Sequence, residues 1–201
     1  MSEAPERTPQ TAKPARRLDA RSLRGLAHPL RMNIFELLNL DGPATATKLA
    51  ERLGENTGTI SWHLRHLAEH GFIEEETGRG TKRERWWRRA DVTNELNTAD
   101  FRDDPDTRGA LSVYLHELVQ QHFSRVVNYI SEDWDDTWRS AGTVSDWSDL
   151  RMTSTQLEAL NTELMAVIAR HTPAPDAEPA PDALPVVVQL QSFPRKERGT
   201  A

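Results

Sequence analysis

The chain has 201 residues, a formal net charge of −6 and no cysteine. Disulfides, thiolate metal sites and cysteine nucleophiles are therefore excluded, and any metal would have to be held by histidines and carboxylates. Because the first residues lack the apolar core of a signal peptide and no later run has the length of a membrane span, we expect a soluble, cytoplasmic protein with no membrane partner.

The charge is unevenly distributed along the chain. Residues 21–90 hold 12 Lys and Arg against 9 Asp and Glu, whereas residues 91–201 hold 9 against 19. A basic segment joined to an acidic one is how a DNA-binding module can lie within an acidic protein.

Residues 1–17 are polar and contain three prolines, which predicts a disordered tail. Its basic end, with Lys13, Arg16 and Arg17, could instead be an arm that touches phosphates. Because short basic ends are common, we favour the solvated tail.

Two helices are predicted after this tail. Apolar residues recur at helical steps from Leu18 onward, and the first helix should end near His28. Pro29 suits the first turn of a second helix, which should end near Leu40 before an Asp-Gly-Pro stop.

A helix-turn-helix follows. Residues 45–53 predict a short helix, and Gly54 closes it as glycine past a helix end usually does. The next helix should begin near Asn56 or Thr57 and end before Gly71. Two short helices around a tight turn with glycine are typical of this motif.

The second helix of the motif has a distinct inner and outer face. Its 3.6-residue period places Ile60, Leu64 and Leu67 together on a buried face. The outward positions are Gly58, Thr59, Trp62, Arg65, His66 and Glu69. Gly58 costs about 1 kcal/mol of helix stability relative to alanine, so it is either merely tolerated or lets another surface approach.

A β-hairpin is predicted next. Residues 72–76 and 83–89 have strand character, and the loop 77–82 between them carries two glycines and outward cations. In the second strand one of Trp86 and Trp87 should pack while the other flanks cations, and the sequence does not say which.

The order and spacing of these elements carry a family resemblance. The runs LRGLAHPLRMNIFELL, TKLAERLG and TISWHLRHLAEHGFI, followed by the glycine-rich hairpin, resemble the winged helix-turn-helix domain of ArsR-like bacterial transcription regulators. The resemblance covers residues 23–90, about a third of the chain. It implies a dimer whose third module helix enters the major groove of double-stranded DNA while the hairpin touches the backbone.

The resemblance also assigns roles to residues. The expected groove contacts on the recognition helix are Thr57, Thr59, Ser61, Trp62, Arg65 and His66. The expected phosphate contacts on the wing are Arg79, Lys82 and Arg83. Residue chemistry agrees, because Arg65 can offer a bidentate fork to guanine and hydroxyls suit either bases or phosphates.

Metal binding is disfavoured. His63, His66 and His70 form a stripe that could hold zinc, but no fourth ligand is evident, and we expect His63 to be a packed histidine that hydrogen-bonds within the domain. Many ArsR relatives sense metals through cysteines, which are absent here, or through the C-terminal dimer helix. On that helix His116 and His122 do not share a face. We therefore predict neither a metal nor another cofactor.

The acidic half begins with a polar connector over 91–106. A long helix over 107–131 follows, with an apolar stripe at Leu111, Leu115, Leu118, Phe123, Val126, Val127 and Ile130. The stripe either covers the chain's own core or forms a dimer seam. The resemblance favours a seam shared with the first helix, 18–27.

Residues 131–147 carry three tryptophans among five acids. They either cap a small core or line a pocket for an unknown small-molecule effector. Farther on, residues 149–153 predict a strand, and Thr155 with Glu158 predicts a capping box before a helix that ends near His171. Residues 185–193 predict a second strand that pairs with the first. This appendage resembles the C-terminal part of some actinobacterial-type ArsR-like regulators.

The predicted fold is mainly α with small β. It comprises a tail over 1–17, a winged helix-turn-helix domain over 18–90, a connector over 91–106 and a C-terminal dimerisation or effector region over 107–194. This last region contains a small two-stranded β element, and residues 195–201 are a loose tail.

The predicted function is sequence-specific binding of double-stranded DNA by a homodimeric transcription regulator, with repression as the family default. The alternative is a winged-helix module for protein–protein interaction, with Trp62 as its anchor. No catalytic triad, phosphate-binding glycine loop or paired carboxylates indicate an enzyme.

Overall fold

The computed structural model describes residues 14–79, 84–101, 104–174 and 177–196, apart from the side chain of Asp106. These residues fall into two compact units, one between residues 14 and 130 and the other between 131 and 196. Helices dominate both, and the strands are short. The predicted class, mainly α with small β, is confirmed.

The first unit contains five α-helices: α1 (Ala20–Leu26), α2 (Pro29–Leu40), α3 (Ala46–Leu53), α4 (Thr57–Glu69) and α5 (Pro105–Ser131). Its strands are β1 (Ala15–Arg17), β2 (Ala44–Thr45), β3 (Ile73–Glu75), β4 (Trp86–Arg89) and β5 (Thr93–Glu95), and a 3-10 helix spans Thr98–Phe101. The second unit contains α6 (Asp136–Ala141) and α7 (Ser154–His171). In the described part of the chain, no helix is both long and apolar enough to cross a membrane.

Local signals set the helix boundaries in the first unit. Pro29 stands in the first turn of α2, and Gly54 ends α3 in the left-handed region with φ of 66°. The side chain of Asn56 caps α4 by accepting a hydrogen bond of 2.8 Å from the Thr59 amide. Because such signals are local, the predicted boundaries of α1 to α4 are confirmed to within a few residues.

The inner face of α4 lies at the centre of the core. Ile60, Leu64 and Leu67 are completely buried, as is Phe72 just after the helix. They pack in one cluster with residues of α2 and α3. A methyl group added at Gly25 of α1 would come within 2.5 Å of the His70 ring, so α1 also closely approaches the end of α4.

The hairpin is shorter than predicted. The three-stranded sheet has the order β2-β4-β3, and both neighbours are antiparallel to β4. Trp87 is buried, whereas Trp86 is half-buried and lies near two cations. The prediction that one tryptophan packs and the other flanks cations is confirmed.

The prediction of a disordered tail over 1–17 is wrong at its end. Residues Ala15–Arg17 form β1, which pairs in parallel with β5 inside the predicted connector. Arg16 donates hydrogen bonds to the Asn94 side chain and, at 2.8 Å, to the His70 carbonyl, and its guanidinium lies 4.7 Å from the centroid of Phe72. These partners occupy Arg16 in holding the end of α4, so it is not the solvated or phosphate-touching arm considered above.

The connector over 91–106 is also more structured than a polar linker. Besides β5, it contains the 3-10 helix, whose Phe101 is buried against Leu23 of α1 and Leu111 of α5. Arg17 pairs with Asp100 at the surface of this segment. The connector therefore joins α1 to the start of α5.

A histidine cluster packs where α4 meets the start of α2. His63 is buried, and its ring centroid lies 4.8 Å from that of His28, whose Nδ1 accepts a hydrogen bond from the Leu30 amide. Burial, together with the nearby His28 and Arg31, lowers the pKa of His63 to about 4. The prediction that His63 packs in the domain is confirmed, but the hydrogen bond expected of it is absent, because its buried Nδ1 has no partner among the described residues. This histidine is neutral at pH 7.

Polar contacts attach α5 to α2. Arg125 forms a two-bond ion pair with Glu36, and Gln121 donates a hydrogen bond of 3.1 Å to Asn33. In the first turns of α5, Leu111 is buried. Farther along, the side chains of Val119, Phe123, Val127 and Ile130 are exposed. Of the predicted stripe, Leu111 is buried and Leu118 packs against the core, Val126 is half-buried, and Leu115, Phe123, Val127 and Ile130 are exposed. Val119 was not part of the prediction.

In the second unit, the predicted β element is absent from the described residues. No strand lies at 149–153 or 185–193, where the chain runs without strand pairing. The capping box is formed by Thr153 with Gln156, two residues earlier than predicted, and α7 ends at His171 as expected. β-branched side chains alone do not make a strand without a paired neighbour.

Substitution of Arg16 should destabilise the first unit. Arg16→Ala removes charge-assisted hydrogen bonds to His70 and Asn94, so we expect urea denaturation to show a loss of about 2 kcal/mol. Arg17→Ala is the matched control, because an exposed ion pair contributes at most about 1 kcal/mol. Equal losses for both variants would mean that Arg16 does not hold α4.

Acidification should destabilise the same unit through His63. The pKa of His63 is about 4 in the folded chain and 6.5 when the ring is unconstrained. Because folding lowers this pKa, the stabilising contribution is complete above pH 6.5 and is lost as the pH falls toward 4. At pH 5 we expect urea denaturation to show a loss of about 2 kcal/mol from this group relative to pH 7.5.

Two variants isolate that contribution. His63→Leu should lose about 2 kcal/mol of the difference in the free energy of unfolding between pH 7.5 and pH 5, whatever its stability at pH 7.5. His171→Leu, which replaces an exposed histidine at the end of α7, should retain the wild-type dependence. A wild-type pH dependence in His63→Leu would show that His63 is not the titrating group.

Candidate nucleic-acid interface

Four of the six predicted groove residues lie on the outward face of α4. Thr57, Trp62 and Arg65 are exposed, and Ser61 is half-buried between them on the same side of the helix. They face away from the buried leucines because the core fixes the rotation of α4. The structure therefore brings these four side chains together on one surface.

The other two predicted groove residues lie at the edges of this face. Thr59 is half-buried, and its amide is already used by the Asn56 cap. His66 is also half-buried, and its ring stacks on Trp62 with centroids 5.4 Å apart and planes 12° apart. His66 thus supports Trp62 from the side.

Trp62 is the largest exposed side chain on α4, with 53% of its surface accessible. It contacts His63 edge-on at 4.8 Å in addition to stacking on His66. A large aromatic held by two neighbours loses little freedom on contact, and it can pack on a sugar or a thymine methyl.

Arg65 lies along its own helix. Its Nε donates a hydrogen bond of 3.2 Å to the Ser61 carbonyl, one turn earlier, and the side chain is exposed. Within the described residues, no carboxylate pairs with it. The guanidinium therefore keeps most of its N–H donors available for a base edge or a phosphate.

The wing is only partly described. Arg79 is exposed, with a carboxylate oxygen of Glu76 at 3.5 Å and the Trp86 ring centroid at 3.9 Å. Lys82 and Arg83, the other predicted phosphate contacts, lie outside the described residues.

Acidic side chains accompany the cations of the hairpin. Glu74 of β3 pairs with Arg88 of β4, and Oε2 of Glu75 lies 3.8 Å from Nε of Arg85, which precedes β4. An incoming phosphate would have to compete with these carboxylates, since each pairs with a cation at the surface. The described hairpin therefore offers fewer available cations than its arginine content suggests.

Sequence reasoning missed Lys48 and the role of Trp86. The Lys48 ammonium lies 4.6 Å from the centroid of the Trp86 ring, next to the Arg79 contact. The only sequence signal was the alternation of tryptophan and arginine in β4, which could not show that a lysine of α3 lies beside it.

The sequence disfavours a metal site and leaves an effector pocket open as an alternative. None of the described residues form a group of three His, Cys, Asp or Glu side chains that could hold a metal. Of the three tryptophans of 131–147, Trp147 is 75% exposed, whereas Trp134 and Trp138 are half-buried. A shallow groove of about 740 Å³ lies beside α7, with Met152, Leu157, Met165 and Pro194 in its lining.

A comparison with protein families identifies part of the chain. A family model described as a helix-turn-helix domain matches residues 26–76. No curated protein sequence matches the chain.

Several solved structures are similar to it. One is the homodimeric winged helix-turn-helix DNA-binding domain of a possible ArsR-family regulator from Mycobacterium bovis, at 24% identity over 51% of this chain and 77% of that one, with a TM-score of 0.33. Others are reduced HlyU from Vibrio cholerae, at 23% identity over 35% and 70% with a TM-score of 0.31, and the MarR family regulator NMB1585 from Neisseria meningitidis, at 17% over 71% and 80% with a TM-score of 0.32. With such scores the structural likeness carries no argument about function.

The family match covers α2, α3 and α4, and it includes the predicted helix-turn-helix, which is formed by α3, the turn after it and α4. Residues 26–76 therefore match the helix-turn-helix domain family, in the part of the chain where the sequence predicts this motif.

Proposed function

We propose that the protein is a homodimeric transcription regulator that binds double-stranded DNA sequence-specifically, with α4 in the major groove. The observation that carries this proposal is the outward face of α4, where Thr57, Ser61, Trp62 and Arg65 stand together on a helix whose inner face is fully buried. A helix of this size fits the major groove, and these side chains supply hydrogen-bond donors, acceptors and an apolar surface.

In this proposal the wing holds the DNA backbone. Arg79, Lys82 and Arg83 contact phosphates, which position the protein without reading sequence. Arg65 is the main reader, because its guanidinium can bond both acceptor atoms of a guanine.

The dimer would form along α5. Val119, Phe123, Val127 and Ile130 recur at helical steps and are exposed, and Phe123 and Ile130 are 64% and 66% accessible. A row of this kind is typical of a surface that a partner covers. The predicted share of the first helix is not supported, because its Leu18, Leu23 and Leu26 are already buried within the chain.

A dimer also makes functional sense of a single recognition helix. One helix reads only a few base pairs, and two-fold symmetry doubles the site into an inverted repeat. We propose repression as the mode of regulation, because a bound dimer occludes the DNA it covers, and we propose the groove beside α7 as the site of a small-molecule effector.

Arg65→Ala should remove sequence preference. Against a duplex obtained by in vitro selection, we expect the variant to lose about tenfold or more in affinity, with little change on a scrambled duplex, because a bidentate base contact contributes about 1–3 kcal/mol of discrimination. Fluorescence anisotropy at fixed salt measures both affinities.

Arg79→Ala is the matched control for that experiment. It should weaken binding to selected and scrambled duplexes by the same factor, since a phosphate contact carries no sequence information. If the wild-type protein binds no duplex but retains a protein partner regardless of salt, the interaction-module alternative with Trp62 as anchor is correct instead.

Phe123→Asp should dissociate the dimer. A carboxylate in the middle of the apolar row would be buried without a partner in the dimer, and sedimentation equilibrium should show a shift to monomer at micromolar concentration. Ser124→Asp adds the same charge to the same helix outside the row and should leave the dimer intact. A monomeric wild-type protein would refute the proposed seam.

A further inference from the structure

Trp86 of β4 brings together two cations from different elements. The Lys48 ammonium of α3 lies 4.6 Å from the centroid of its ring, and the Arg79 guanidinium of the wing lies 3.9 Å from it. Both distances are within the range of cation–π attraction, for which tryptophan is the strongest aromatic.

The fold fixes this arrangement at the start of α3. Trp86 pairs across the sheet with Thr45, and the side chain of Thr45 caps α3 by accepting a hydrogen bond from the Lys48 amide. Lys48 therefore stands in the first turn of α3, directly beside the tryptophan. On the other strand, the Glu76 amide donates to the Trp86 carbonyl at 2.8 Å, which places the base of the wing next to the same residue.

The two cations of this cluster have little negative charge near them among the described residues. Lys48 and Arg79 carry like charges and contact the same aromatic ring. Each cation therefore raises the free energy of placing the other at this ring. Among the described residues, Lys48 has no carboxylate at ion-pair distance, and Arg79 has only the contact of 3.5 Å with Glu76 at the surface. An anion that contacts either cation would offset part of this repulsion, which a purely structural role for the ring leaves in place.

The first turn of α3 favours an anion for a second reason. The amide groups at a helix N-terminus carry partial positive charge, so an anion beside Lys48 would also interact favourably with α3. The cluster thus combines two cations, the aromatic ring of Trp86 and the N-terminus of α3.

We propose that Lys48 is a further phosphate contact and that Trp86 is a positioning residue, whose ring holds Lys48 and Arg79 for contact with the DNA backbone. This inference rests on the proposed function and extends it to a backbone clamp between α3 and the wing. The ammonium and guanidinium stay exposed over the ring, so their N–H groups can donate to phosphate oxygens. The tryptophan restricts both flexible side chains before DNA arrives, which reduces the entropy lost on binding.

The test is the salt dependence of binding by the full chain to a random-sequence duplex of 20 base pairs. A plot of the logarithm of the binding constant against the logarithm of salt concentration has a negative slope. The magnitude of this slope decreases by about 0.9 for each phosphate contact removed. Lys48→Met should show a slope smaller by this amount, and its sequence preference should be unchanged. Lys196→Met, which removes an exposed lysine of the second unit, should show the wild-type slope.

The role of Trp86 is tested by two variants. Trp86→Leu keeps an apolar side chain without the aromatic ring, and we expect its slope to fall by at least as much as that of Lys48→Met. Trp86→Phe keeps an aromatic ring and should recover most of the wild-type slope. In the Lys48→Met variant, the additional substitution Trp86→Leu should change the slope by less than Trp86→Leu changes it in the wild-type protein.

The outcomes separate this inference from the function on which it rests. If the wild-type protein binds no duplex, the proposed function fails. If the wild-type protein binds with a salt-dependent affinity but Lys48→Met has the same slope, only the clamp is refuted. If Trp86→Leu lowers the urea midpoint and leaves the slope unchanged, Trp86 has only a structural role and its positioning role is refuted. If Trp86→Leu does not fold, the slope of Lys48→Met alone decides whether the clamp exists.

Discussion

The burial of one face of α4 is the constraint on which the rest of the structure depends. Ile60, Leu64 and Leu67 are inaccessible to solvent, and turning the helix by one residue would expose at least one of them. Burial of a leucine or isoleucine side chain contributes about 1.5–3 kcal/mol, so the rotation of α4 is strongly fixed. The identity of the outward residues follows directly, and Trp62 and Arg65 face solvent because the core leaves them no other place.

Both ends of α4 are held by other parts of the chain. Asn56 caps its start, and Arg16 reaches from β1 to the carbonyl of His70 at its end. The buried, neutral His63 packs its middle against His28. A helix that is fixed at three points along its length can present its outer side chains with little loss of freedom, which favours tight contact with a rigid partner such as a duplex.

Much of the first unit could be predicted because its signals are local. Pro29, Gly54 and the helical period of the leucines lie within a few residues of the boundaries that they set, and Thr57, Ser61, Trp62 and Arg65 follow from the same period. The pairing of β1 with β5 could not be predicted, because it joins residues 78 positions apart and leaves no local pattern. Nor could the contact between Lys48 and Trp86, which depends on how α3 and β4 meet.

In the second unit, the sequence predicted a strand that the described residues do not form. The run of β-branched residues at 185–193 has the composition of a strand, yet the described structure contains no strand there. No side chain of its helices α6 and α7 is buried. Propensity describes how a residue fits a sheet that other contacts have already built, and this unit supplies too few such contacts.

The central claim, that the outer face of α4 reads the major groove, is tested most directly by methylation interference on a selected duplex. Methylation of guanine N7 blocks a major-groove acceptor, and the account predicts interference at guanines in both halves of an inverted repeat, with one position in each half lost in Arg65→Ala. Interference confined to adenine N3 in the minor groove, or an identical pattern in Arg65→Ala, would contradict it.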